Sequence, residues 1–321
     1  MHTIVTCMKN EGAFAVEWIA YHLSIGFDHI IVFTNDCDDG TVSICKLLEK
    51  EGLVTHIHND FPEGQSPQQH ALEIAITLEK VKQSDWTIHI DVDEFILVEL
   101  GDGKISELTE FAADADAIAL LWRAFGDMGY TRHNGGLVHE RFLKCQENVE
   151  LRSAFHKTLF RPASFDAWSP HMPKDPVFGE SVRIVNSRGR EMPKNNLFDG
   201  SSRLTDRRRF LSWDNACLHH YAVRSEDLYL MKNDRGDVNK TAYGEKYFLG
   251  SAYHRRYNLN QVYCSKILKH SDRFHATFEM LMAIDGIRDA VRSSEDWFVT
   301  RRSEFLTEEM RGRLTKVSNP S

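Results

Sequence analysis

Between residues 3 and 95 the chain alternates short β-branched apolar runs with segments of helical spacing, and no other feature constrains its fold as much. Residues 3–7, 29–33, 53–57 and 86–90 read as strands. Residues 11–25, 40–50 and 66–83 read as the intervening helices, with Ser66 as N-cap before Pro67 and with Gly26 and Gly52 as C-terminal stops. Strands separated by helices fold as βαβ units, so the expectation is an α/β, Rossmann-like, mostly parallel sheet flanked by helices. Three strands end in polar loops: Met8-Lys9-Asn10-Glu11-Gly12, Thr34-Asn35-Asp36-Cys37-Asp38-Asp39-Gly40-Thr41 and Asp91-Val92-Asp93-Glu94-Phe95. In a parallel sheet these loops share one rim, where open α/β sheets bind ligands.

A short helix around 105–112 and an apolar strand at 117–122, running into Arg123-Ala124-Phe125-Gly126, extend the pattern. From about 160 to 210 the chain is richer in Pro, Asn, Ser and Arg and loses periodicity, as expected of loops laid over a scaffold. Helical spacing returns at 226–232 and 274–284. The expected organisation is one α/β domain over residues 1–270, with residues 271–321 a helical C-terminal extension packed on it.

The charge is unevenly spread along the 321 residues. Residues 1–120 hold 22 Asp and Glu against 6 Lys, a balance of −16; the remainder holds 25 against 33 Lys and Arg, a balance of +8. An acidic half repels nucleic acid but can hold a divalent cation, and the later excess of arginine can meet an anion such as a diphosphate. Six cysteines lie singly with no C-x-x-C pair, which reads as reduced, mostly buried thiols. No apolar run approaches the roughly 20 residues of a membrane span, and Met-His-Thr-Ile-Val-Thr-Cys lacks the basic start of a signal peptide. The expected location is cytoplasmic.

Asp91-Val92-Asp93 at the end of an apolar strand carries the chemistry. A tightening loop can turn both carboxylates onto one hard cation, and Mg2+ or Mn2+ suits oxygen ligands. A solvated acidic turn would look the same in sequence.

The ordered set Lys9-Asn10-Glu11, Glu17-Trp18, Tyr21-His22, Gly26, then Asn35-Asp36, Asp38-Asp39-Gly40-Thr41, then Asp91-Val92-Asp93-Glu94-Phe95 resembles the family-2-like glycosyltransferases of GT-A fold, in the bacterial branch related to family 92. Phe125-Gly126, Gly129, Glu140-Arg141-Phe142, Lys157 to Pro162, His171-Met172-Pro173, His220-Tyr221, Arg224-Ser225, Lys232 and Arg235-Gly236 continue it, so that the likeness spans nearly all of residues 3–270.

The resemblance implies a metal-dependent transfer of sugar from a nucleotide-diphosphate sugar to a saccharide or glycoconjugate. It implies a divalent cation, Mn2+ or Mg2+, on Asp91 and Asp93, with His220 completing the metal site. Asn10, Glu11, Asp36 and Asp39 would line the nucleotide pocket, Asp91 would approach ribose or metal, and Lys232 and Arg235 would reach the diphosphate. Each has a plainer alternative: a turn residue or cap for Asp36 and Asp39, a helix-start charge for Glu11, a solvated helix face for Lys232 and Arg235, a core imidazole for His220. Lys157 and Arg161 share that ambiguity on a strand. A lipid-linked acceptor would bring the protein to a membrane surface without spanning it.

An inverting transfer needs a group to take the acceptor hydroxyl's proton. Glu140 is the first choice, followed by Asp127 and His171; Glu140 is equally suited to a buried ion pair with Arg141 or Arg152. Two other classes share parts of the pattern. A haloacid-dehalogenase-like phosphotransferase has Asp-x-Asp after a strand, but Phe95 stands where it needs a small or hydroxyl residue. A non-catalytic sugar-binding protein would keep the pocket and lose the transfer.

Overall fold

The computed structural model describes residues 1–151, 154–193, 208–235 and 246–315. Arg152, Gly236 and residues 316–321, all used in the sequence reading, lie outside the described residues, as do 194–207 of the expected loop region. The strands are β1 (His2–Met8), β2 (His29–Thr34), β3 (Val54–His58), β4 (Trp86–His89), β5 (Glu94–Val98), β6 (Ala117–Ala124), β7 (Lys144–Cys145), β8 (His156–Phe160), β9 (Phe165–Trp168), β10 (Pro173–Pro176), β11 (Ile184–Asn186), β12 (Ala216–His220) and β13 (Val262–Tyr263). Nine of them form one sheet in the order β3-β2-β1-β4-β8-β6-β12-β5, with β11 also paired to β6. Strands β3, β2, β1 and β4 run parallel, as the βαβ reading requires, and β8 and β5 enter antiparallel. Every residue of His-Ile-Ile-Val-Phe-Thr in β2 is buried, which is why that run carries no polar alternation.

Three elements differ from the sequence reading. The expected single helix over 66–83 is two, Pro67–Ala75 and Glu79–Lys82. Thr77 donates its hydroxyl to the Ile74 carbonyl and Leu78 turns extended, so β-branched residues at 76 and 77 end the helical path. Residues 160–210 are not only loop: β9 and β10 pair antiparallel, and β11 joins the sheet parallel to β6. These strands have three or four residues, too few for periodicity to register. Strand β5 follows the acidic turn directly and crosses to the far edge of the sheet, pairing with β12.

The helix Gly12–Ser24 covers one face, with Trp18 Nε1 donating to the Glu94 carbonyl at 2.8 Å and Tyr21 Oη to that of Ile96 at 2.9 Å. A Cβ on Gly12 would lie 2.5 Å from Ser294 Oγ, so only glycine allows the helix Ile287–Phe305 to approach this closely. That helix also meets Thr41–Lys50 and Glu226–Arg235, while Ser271–Met282 packs along Gly12–Ser24. Buried Arg302 bonds Asp227 at 2.7 Å, and Arg301 bonds Asp234 through two N–H groups. Among the described residues no helix is long and apolar enough to cross a membrane.

Several imidazoles are enclosed without a counter-charge; burial pushes His22 down to about 3 and His156 to about 4. Both are neutral in the fold, whereas the unfolded chain protonates them near 6.5. Stability from these groups is therefore complete above about pH 6.5 and lost as pH falls toward 4, by about 1.4 kcal/mol per unit for each. Urea midpoints should drop between pH 7.5 and 5.5; an unchanged midpoint would contradict neutral burial.

Candidate active site

The parallel strands deliver their polar loops to one rim, and a crevice of about 280 Å³ opens there. Asp91 and Asp93 form its floor between β4 and β5. The turn is tight: the Asp91 amide donates to Glu94 Oε2 at 2.8 Å, and the Tyr221 amide to the Asp93 carbonyl at 2.8 Å. The two carboxylates diverge to different partners. Asp91 accepts from Gln68 Nε2 at 2.7 Å and from Lys157 Nζ at 3.1 Å. Asp93 Oδ2 accepts from Lys232 Nζ at 2.8 Å, while its Oδ1 faces His220 Nε2 at 3.7 Å.

Lys157 is 1% exposed and also lies 3.6 Å from the fully buried Glu94 carboxyl. Burial opposes its charge, but Asp91 and Glu94 outweigh that and raise its pKa. Asp91 shows the converse: burial favours its neutral form, and Lys157 with His89 reverses this, holding it below the usual carboxylate range. Burial dominates at Glu94, whose pKa rises well above normal against the pull of Lys157.

His220, at the end of β12, lies against the Trp122 ring with centroids 4.1 Å apart and meets Tyr257 edge-on at 5.2 Å. Burial lowers its pKa to about 4, so the imidazole is neutral with a lone pair available. Among the described residues no group of three His, Cys, Asp or Glu side chains gathers into a metal cluster. At the acidic turn, among the described residues, Asp93 Oδ1 and His220 Nε2 face each other as open donors, whereas Gln68 and Lys157 engage the oxygens of Asp91. Two adjacent ligands of one Mg2+ stand about 3 Å apart, and this pair needs only a small closure to match that.

The other expected residues divide. Glu11 lines the crevice and pairs with Arg235, with Arg224 4.0 Å away. Asn10 bonds Asp38 reciprocally and borders an adjoining cavity with Glu11, Phe14 and Trp297. Asp36, in a left-handed conformation with φ 45°, lies outside the crevice, and its exposed carboxylate is 3.6 Å from Lys9. Asp39 is buried and accepts from the Gly12 and Thr41 amides and the Thr41 hydroxyl, which starts two helices. Arg161 donates to the carbonyls of Ala113 and Ala115.

Two of the three proposed bases are not brought to the crevice. Glu140 pairs with His275 at 2.7 Å in a half-exposed contact between the helices Val138–Arg141 and Ser271–Met282. Asp127 accepts from the side-chain amides of Asn258 and Asn260 and the Gly129 amide, tying its loop to the C-terminal part. The sequence order put both after sheet strands, but their loops turn away from the rim. His171 does line the crevice; Nδ1 donates to the His156 carbonyl at 2.8 Å, and Nε2 has no partner among the described residues.

The sequence profile of glycosyltransferase family 92 matches residues 2–221. The chain belongs to glycosyltransferase family 92. A family 92 protein of Ricinus communis is 27% identical over 100 residues, covering 30% of this chain and 17% of that protein. A second match to it is 23% identical over 171 residues, covering 50% and 28%. This chain thus spans less than a third of the curated relative. Residues 1–349 of S. aureus TarS are 13% identical over 95% of this chain and 93% of theirs, with a TM-score of 0.36. The same fragment in complex with UDP-GlcNAc is 14% identical, covering 50% and 45%, at TM-score 0.32. HddC from Yersinia pseudotuberculosis is 14% identical, covering 58% and 89%, at 0.33. Family membership leaves the phosphotransferase alternative without support.

Sequence reasoning missed Gln68 and the aromatic wall of Trp122, Phe155, Tyr253 and Tyr257. The i, i+4 spacing of Tyr253 and Tyr257 was the available signal.

Replacing Lys157 by Met would leave Asp91, still bonded to Gln68, without its ammonium partner beside Glu94, and should lower stability. Asp39→Ala should also lower stability, because the buried Gly12 and Thr41 amides would lose their acceptor, by about 1 to 3 kcal/mol. Denaturant titration checks both, and equal stability of Lys157→Met and wild type would remove the charge cluster as a structural element.

Proposed function

We propose that this chain transfers a sugar from a nucleotide-diphosphate sugar, a UDP-sugar in the first instance, to a saccharide or lipid-linked acceptor during polysaccharide or cell-surface glycan synthesis. The observation that carries the reading is the acidic turn at the crevice floor, flanked by Lys157, Lys232 and Arg235. Cations interleaved with carboxylates suit a diphosphate, which draws the ammonium groups as charge builds on the leaving oxygen. Glu11, at the β1 side of the crevice, and Asn10, on the adjoining cavity, are assigned to the nucleoside end, with Asp39 shaping the next loop and Asp36 reached only at its exposed edge outside the crevice.

A divalent cation, Mn2+ or Mg2+, is assigned to Asp93 and His220, with its other positions open to phosphate and water oxygens. When bound it would neutralise the diphosphate as the sugar–oxygen bond breaks. Asp91 remains with Lys157 and Gln68 and orients the turn.

The transfer is assigned as inverting, a single displacement. The acceptor oxygen bonds to the anomeric carbon, the bond to the diphosphate oxygen breaks, and the nucleoside diphosphate leaves with the electron pair. The acceptor's proton passes to His171 Nε2, since Nδ1 is held by the His156 carbonyl. Burial and the Lys157 charge push this imidazole down to about 3, so it is unprotonated before the donor arrives. The negative charge that builds on the leaving diphosphate as the bond breaks raises its basicity.

UDP with Mn2+ should raise the melting temperature, because a ligand of the native state alone stabilises it by mass action. Asp93→Asn should abolish that shift, and EDTA should diminish it; equal shifts with and without EDTA would remove the cation from this reading. His171→Gln should keep UDP affinity and lower turnover by on the order of 10² to 10⁴. Glu140→Gln, confined to a surface pair, should leave turnover at the wild-type level. The opposite ranking of those two variants would return the base to Glu140.

A further inference from the structure

The crevice walls are unequal in chemistry. The acids that line it are each held by a cation: Asp91 by Lys157, Asp93 by Lys232, and Glu11 by Arg235. Arg256 also lines it, is half-buried, and among the described residues meets no carboxylate. It sits on the helix Ala252–Tyr257, whose start is fixed by Ser251 accepting from the His254 amide. Beside it Tyr253 and Tyr257 pack at 4.7 Å, and Tyr257 reaches Trp122 at 5.9 Å. Lys246 adds a second cation to that rim, 5.4 Å from the Tyr247 ring and 6.0 Å from Tyr253.

Strand order separates this wall from the nucleoside end. The loops after β1 and β2 lie on one side of the acidic turn; β8, β6 and β12, which carry Lys157, Trp122 and His220, lie on the other. A donor with its diphosphate on the central lysines leaves the outer rim, at the helix Ala252–Tyr257, to the second substrate. Aromatic faces stack on the apolar faces of sugar rings, and a guanidinium without a partner recognises a planar or tetrahedral anion through paired N–H groups.

We propose that this rim is the acceptor subsite and that it selects a saccharide bearing a negative charge, a uronate carboxylate or a sugar phosphate, with Arg256 as the specificity-determining residue. The inference rests on the reading of the crevice as a nucleotide-sugar site. It requires no change in the transfer step; Arg256 holds the acceptor's charge while the neutral hydroxyl reacts.

The test uses the full chain loaded with UDP and Mn2+, titrated with methyl glucuronide, glucose 6-phosphate and neutral methyl glucoside, with binding followed by NMR. At least one charged sugar should bind roughly tenfold tighter than the glucoside, and the two charged arms tell carboxylate from phosphate. Arg256→Ala should erase that preference while UDP affinity stays within about twofold of wild type. Arg256→Gln, which keeps the side-chain stem, should behave alike and guards against misfolding of the alanine variant. Equal binding of charged and neutral sugars would overturn the inference, as would inorganic phosphate binding as tightly as the sugar phosphate. A parallel loss of UDP affinity in both variants would reassign Arg256 to the donor diphosphate. Failure of the wild-type chain to bind UDP would instead overturn the underlying reading, and this subsite with it.

Discussion

The ammonium of Lys157, enclosed between Asp91 and Glu94, is the contact on which the crevice depends. It links β8 to the turn between β4 and β5, two strands that the topology sends to different places in the sheet. A buried charge is tolerable only when paired, so the position of Lys157 dictates that Asp91 stays ionised and faces inward. Glu94 then closes the turn by accepting from the Asp91 amide. With Asp91 committed in this way, Asp93 is the carboxylate left with an open oxygen toward His220.

The walls depend on longer-range ties. Buried Asp227 receives Arg302 from the helix Ile287–Phe305 and, in the first turn of the helix that carries Lys232 and Arg235, accepts from the Leu228 amide. Asp39 performs the matching task on the other side, holding the starts of Gly12–Ser24 and Thr41–Lys50. Charged residues far from the floor thereby fix the angle at which cations enter it. The C-terminal helices are part of the scaffold of the crevice, since Ser294 touches the chain at Gly12, next to Glu11.

Much of the frame was legible from pattern. Strands β1 to β4 and the helices between them follow from apolar runs and stop signals, because local burial and local capping act within a few residues. The rim position of the acidic turn followed from the same alternation. Positions whose identity depends on distant partners were not legible: Glu140 and Asp127 had suitable chemistry and chain order, yet His275, Asn258 and Asn260 engage them elsewhere. Strands β9 to β11 were missed because three or four residues carry no usable period.

The sequence by itself determined the βαβ frame, the rim on which polar loops gather, and the presence there of Asp91 and Asp93. Those properties are encoded by neighbours along the chain. Tertiary structure alone decided that Lys157 and Lys232 face the two aspartates, that His220 stands beside Asp93 Oδ1, and that Trp122, Tyr257 and Arg256 form a wall. Each of these pairings joins residues tens to more than a hundred positions apart, and electrostatic or packing complementarity at such separation becomes specific only when the sheet order brings the partners into contact.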